Sequence, residues 1–171
     1  MFCLAENTTD FRRMQVKADG SCWVYATLAG LGKLEHATPL PWGKKQTCMD
    51  PTEQDQMMDL DARQWIFENT HGDKMFDDIL KVPDYERNRS IDKFLGSFGT
   101  QFHYQQLCEK FDINIILWDE VDEDDIIFIT KNAVEYADKE WALAAAHSAS
   151  VVNIAMSKDK DRHVNVYLKN D

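Results

Sequence analysis

Cysteine is scarce in this 171-residue chain, and what there is lies scattered: Cys3, Cys22, Cys48 and Cys108, with no Cys-x-x-Cys pair and no cysteine–histidine knot. That excludes the usual zinc spacings, so no metal ion and no other cofactor is expected. A chain of this length buries roughly 70% of its unfolded surface and needs no covalent staples. Its thiols are expected to stay reduced, which fits a cytoplasmic compartment. Cations are also in short supply, 19 Lys and Arg against 30 Asp and Glu, a formal net charge of −11. Such a surface repels a phosphate backbone, so a nucleic-acid partner is not expected, and a basic protein partner is favoured by long-range steering. A long apolar run is missing as well. The longest uncharged stretch, Trp141 to Met156, is too short to span a bilayer and holds His147, Ser148, Ser150 and Asn153. No membrane partner is expected. The segment Met1 to Asp10 lacks both a basic and an apolar signal region, so it is not read as a signal peptide. Internal repeats and low-complexity tracts are absent too.

What remains is an ordinary globular composition, 44% hydrophobic and 29% charged, and a length that points to one domain over residues 1–171 with a monomer as the default assembly. The first half reads as helices. Cys22 to Gly32 forms one, with Ser21 at the N-cap and glycines near its end. Thr52 and Asp55 resemble a capping box with Asp in place of Glu, and a helix follows to about Asn69, burying Met58, Ala62, Trp65 and Ile66, with Gly72 as its stop. Short helices are expected over Asp73–Leu80 and Ser90–Leu95. The spacing of Tyr104, Leu107, Cys108 and Phe111 is one face of another helix, which makes Cys108 a core residue.

The second half turns to strands. Asn114–Trp118, Ile126–Thr130, Val151–Met156 and His163–Leu168 read as strands, Asp138–Ala146 as a helix, and Ser157–Arg162 as the polar turn of a hairpin. Asp119 to Asp125, six acids with only Val121 among them, reads as a solvated turn. Helices followed by a small sheet with helices against it make an α+β layout.

One segment carries chemistry. In Asp19-Gly20-Ser21-Cys22-Trp23 a glycine turn delivers a cysteine to the first turn of a helix, where backbone N–H groups are unpaired and the dipole is positive. Both favour a thiolate, and the same N–H groups suit an oxyanion. Taken alone, a cysteine there is also a common small core residue. A thiolate needs a base and an orienter. His163 opens the last strand and Asn165 lies two residues on, so the two share a face. The Asn165 oxygen is placed to accept from one ring nitrogen and free the other for the thiol. His36, His71, His103 and His147 have no such neighbour.

These residues bear a resemblance. Ala18-Asp19-Gly20-Ser21-Cys22-Trp23-Val24-Tyr25-Ala26 resembles the nucleophile motif of ovarian tumour (OTU) deubiquitinases. His163-Val164-Asn165-Val166 resembles their C-terminal histidine box, and Gly99 to Trp118 their middle helix and strand. The blocks fall in family order over nearly the whole chain. Ser21 stands where the family often has Asn, Val164 where it has an aromatic, and Phe98-Gly99-Thr100 where it has a Trp-Gly entry. The resemblance implies a papain-like α+β fold with a small, mostly antiparallel sheet flanked by helices. It implies thiol-dependent cleavage after the C-terminal Gly-Gly of ubiquitin, polyubiquitin or a ubiquitin-like modifier. Cys22 would be the nucleophile, His163 the base and Asn165 its orienter, with Gly20 and Ser21 in the oxyanion loop. Asp19 would shape that loop or assist His163 from the other side. Trp23 would line the channel for the Gly-Gly tail or pack against the sheet, and Asp119 to Asp125 would meet ubiquitin's basic face. Three alternatives stay open: another papain-like or transglutaminase-like hydrolase, an OTU-shaped module that binds ubiquitin without cutting, and a plain structural domain.

Overall fold

The structure is a computed structural model that describes residues 10–16, 21–34, 51–69, 101–122, 124–148, 150–160 and 163–169. Among these the chain runs β1 (Phe11–Met14), α1 (Cys22–Gly30), α2 (Glu53–Asn69), α3 (Gln101–Phe111), β2 (Asn114–Asp119), β3 (Ile126–Ile129), β4 (Val134–Tyr136), α4 (Lys139–His147), β5 (Asn153–Lys158) and β6 (Val164–Lys169).

The strands form one sheet in the order β1-β6-β5-β2-β3-β4. Every pairing is antiparallel except β2 with β5, between which the chain runs through β3, β4 and α4. Residues alternate between the two faces as a pleated strand requires. Ile115, Leu117, Ile154, Met156, Val164 and Val166 pack under α1, α2 and α3. Ile116, Trp118, Ala155 and Tyr167 pack against Ala142 and Ala146 of α4. Both faces are covered, which is why β2 reads as a continuous apolar run. The α+β expectation, with a mostly antiparallel sheet flanked by helices, holds.

Helix α1 is the central element. It has no charged residue, and everything from Cys22 to Ala29 is buried, as suits a helix apolar on all sides. It stops where expected. Gly32 takes φ 71°, and the Gly32 and Lys33 amides turn back to the Ala29 and Leu28 carbonyls, a Schellman ending that favours glycine. Gly30 lies against β5 so closely that a Cβ there would meet Ile154 Cγ2 at 2.5 Å. Helix α2 opens with the reciprocal cap read from sequence. Thr52 N–H donates to Asp55 Oδ2 at 3.0 Å and Asp55 N–H to Thr52 Oγ1 at 3.1 Å. Ala62 and Ile66 are buried, while Met58 and Trp65 are half-buried. Gly72 and the short helices expected over 73–80 and 90–95 lie outside the described residues.

Several expectations change. Strands β1 and β4 were not read from sequence; each is short, and β4 sits at the sheet edge with Tyr136 exposed. The hairpin between β5 and β6 is present, but Ser157 and Lys158 belong to β5 and Ser157 is fully buried. The polar turn is therefore shorter than its composition suggests. In the acidic run, the Asp119 and Asp122 carboxylates form Asx-type surface turns, accepting from the Val121 and Asp124 amides. Glu120 is instead buried, taking hydrogen bonds on Oε1 from Arg13 Nε at 2.8 Å and Ser157 Oγ at 2.7 Å. A charge run is read as solvated by default, and only the arginine on a distant strand reverses that.

Candidate active site

Cys22 is the first residue of α1 and is 1% exposed. The Ser21 carbonyl accepts from the Val24 and Tyr25 amides, both at 3.0 Å, which winds the first turn. The Ser21 hydroxyl does not cap the helix, contrary to the sequence expectation. It donates to Asp59 Oδ2 at 2.7 Å and accepts from Arg63 Nη2 at 3.1 Å. A stronger acceptor, a carboxylate on α2, takes the hydroxyl away from the helix amides. Asp19 and Gly20 lie outside the described residues.

Trp23 is 1% exposed. The Arg63 guanidinium lies 5.0 Å over its ring, His103 stacks on it at 5.6 Å and Tyr104 meets it edge-on at 6.1 Å. These contacts are with α2 and α3, not with the sheet on which its packing was expected. Burial, then the Arg63 charge, lowers His103 from 6.5 to about 4, so it is neutral near pH 7. Burial and the neighbouring Cys22 push the Tyr104 phenol well above its ordinary range, leaving it a protonated donor. Cys108 lies in the core with its Sγ 3.5 Å from the Ile129 carbonyl, and burial raises it to about 12. It is an inert thiol.

His163 immediately precedes β6 and is buried. Its Nε2 lies 2.7 Å from the carbonyl oxygen of Val16. A carbonyl only accepts, so Nε2 carries a proton. Nδ1 lies 3.5 Å from Asp159 Oδ2, and Asp159 Oδ1 also accepts from the His163 backbone N–H at 3.0 Å. Asn165 is 1% exposed, and its Oδ1 accepts from the Val16 N–H at 3.1 Å. The direct Asn165–imidazole bond expected from sequence is therefore replaced. Both side chains bond to the backbone of one residue, Val16, Asn165 at its N–H and His163 at its C=O, instead of to each other. The reason lies in β6: Val164 and Val166 point to the α1 side and Tyr167 to the α4 side, which sets Asn165 on the α4 side. From there it reaches the chain where it leaves β1 on the way to the cysteine loop.

Val16, Asp159, Asp59 and Arg63 were not singled out from sequence. Asp55, Asp59 and Arg63 are all buried at intervals of four along α2. That spacing is a legible polar stripe, and charge on a stripe next to Ala62 and Ile66 is the signal that was available. Val16 acts through its backbone, which no residue type announces. No group of metal-ligating side chains occurs among the described residues, and no described helix is long and apolar enough to cross a membrane.

No family model matches the chain, and no curated protein matches it. Solved structures do. An OTU deubiquitinase from Wolbachia pipientis wMel, solved bound to ubiquitin, aligns with a TM-score of 0.58 at 13% identity, covering 95% of this chain and 98% of that one. The chain has the OTU fold. The OTU domain of human OTUD1 aligns with a TM-score of 0.51 at 11% identity over 92% of this chain and 85% of that one. The OTU domain protease of Qalyub virus gives 0.50 at 15% identity over 99% and 89%. The OTU resemblance read from short motifs and the fold built from the whole chain thus agree, while sequence identity to each of these OTU structures stays low.

Proposed function

We propose that this chain is a cysteine-dependent deubiquitinase, cleaving the isopeptide or peptide bond after the C-terminal Gly-Gly of ubiquitin or a ubiquitin-like modifier. The observation that carries the reading is that a chain with an OTU fold holds both a cysteine at the start of a buried helix and a histidine whose Nε2 is fixed on the Val16 carbonyl. That tautomer leaves Nδ1 with the lone pair a base needs. Nδ1 of His163 takes the Cys22 proton, and the thiolate attacks the carbonyl carbon of the terminal glycine. The Cys22 N–H and the loop before it stabilise the oxyanion as the C–S bond forms. His163 then gives its proton to the leaving amine, the C–N bond breaks, and an acyl-enzyme remains. Water, deprotonated by the same nitrogen, hydrolyses the thioester and restores the thiol. Asp159, 3.5 Å from Nδ1, is placed to stabilise the imidazolium that forms in between. Asn165 holds Val16, and so the ring, at one remove. The Wolbachia relative was solved with ubiquitin bound, which supports ubiquitin as the first modifier to try, and the net charge of −11 favours its basic face.

The test is incubation with ubiquitin bearing a thiol-reactive C-terminal warhead, beside Cys22→Ala. An adduct one ubiquitin heavier in the parent, and none in the variant, is expected. A folded parent that forms no adduct with ubiquitin or with ubiquitin-like modifiers overturns the reading.

A further inference from the structure

The Ser21 hydroxyl sits between the two members of a buried ion pair. Arg63 Nε and Asp59 Oδ1 are 2.9 Å apart, one helical turn from each other on α2, and Arg63 is 0% exposed. Asp59 Oδ2 accepts a hydrogen bond from the Ser21 hydroxyl at 2.7 Å, and Arg63 Nη2 donates to that Ser21 Oγ at 3.1 Å. Arg63 also covers the Trp23 ring at 5.0 Å. The residues on either side of Cys22 are therefore both held by Arg63. A charged pair is expensive to bury, and a helix-to-helix contact can be made with apolar side chains instead. The hydroxyl that would normally cap α1 is given over to the pair as well.

We propose that the Asp59–Arg63 pair positions Cys22 through Ser21 and Trp23, and that its two opposite charges set the reactivity of the thiol. This rests on Cys22 being the nucleophile. Arg63 stabilises the thiolate and Asp59 opposes it, so the pair holds the field at the helix start near balance. Among the described residues, the other titratable groups around that start include His103 and Tyr104 on α3, the first neutral and the second a protonated phenol. At the mouth of β6, the strand beneath α1, are His163 and Asp159.

The test follows iodoacetamide alkylation of the Cys22 peptide across pH by mass spectrometry, on the intact chain. Asp59→Asn is expected to lower the midpoint by about one pH unit and Arg63→Gln to raise it by about one, as a charge near a partly buried site does. Arg63→Lys, which keeps the charge, is expected to return the midpoint to the parent's. Ser21→Ala is expected to leave the midpoint in place while lowering kcat on a ubiquitin C-terminal amide about tenfold at unchanged KM, because positioning is lost and charge is not. If Arg63→Gln does not fold, Asp59→Asn and Arg63→Lys decide the matter alone. Folded variants whose midpoints all stay with the parent's, or all move the same way, overturn the proposal. Failure of the deubiquitinase reading looks different: the parent then takes no ubiquitin warhead, whatever the alkylation profiles do.

Discussion

In the helical layer, Arg63 pairs with Asp59 and both engage the Ser21 hydroxyl. In the sheet, Arg13 pairs with Glu120, whose Oε1 also takes the Ser157 hydroxyl. The two clusters have the same chemistry, an arginine, a carboxylate and a serine. They differ in wiring. The first pair lies within one helix and reaches out by a single serine to the residue before Cys22. The second joins three pieces of chain, β1, the end of β2 and β5. They also differ in depth, since the Arg63 side chain is 0% exposed and that of Arg13 is 24%. The lesson is that a buried ion pair does not declare its role by composition. What it touches decides whether it stitches the fold or shapes a site.

Removing one arginine from each cluster sharpens that difference most. Arg63→Met strands Asp59 in the interior and is expected to cost about 3–5 kcal/mol in denaturant unfolding. Arg63 also presses on His103, and this gives a second comparison. Since His103 falls from 6.5 to about 4 on folding, the unfolded chain binds a proton in that interval that the folded chain does not. Stability is thus complete above about pH 6.5 and is lost as pH falls toward 4, by ~3 kcal/mol in all. His103→Gln is expected to flatten that slope in thermal melts taken across pH, and replacing Arg13 is expected to leave it unchanged. Arg13→Met itself is expected to cost about 1–2 kcal/mol, because Glu120 keeps the Ser157 hydroxyl and the site is part-exposed, and to leave Cys22 alkylation as in the parent. A shift in alkylation would erase the distinction between the clusters. The smallest effect is at Thr52→Ala, which removes half of the cap that starts α2. It is expected to cost about 1 kcal/mol in denaturant unfolding and to loosen both members of the helical cluster together.

Much of this was legible locally. The extent of α1 follows from an uncharged apolar run closed by Gly32, the cap of α2 from Thr52 and Asp55, and the burial of Cys108 from its interval to Tyr104 and Phe111. The strands β2, β3, β5 and β6 follow from short apolar runs between polar breaks. Strands β1 and β4 did not, because Phe11–Met14 and Val134–Tyr136 are too short to show a period and hold their shape only by pairing with β6 and β3. The residues Cys22, His163 and Asn165 were recognisable by type and order, and His163 with Asn165 by their spacing of two.

Sequence alone determined most of the elements and named the candidate groups, because periodicity, caps and side-chain chemistry act over a few residues. Tertiary structure alone decided who holds whom. Asn165 and His163 meet on the backbone of Val16, 149 and 147 residues away, and Ser21 finds Asp59 and Arg63 at separations of 38 and 42. A buried polar atom must be satisfied by whatever partner the fold brings within 3 Å or so. Which partner that is depends on where the sheet and helices come to rest, and no local pattern records it.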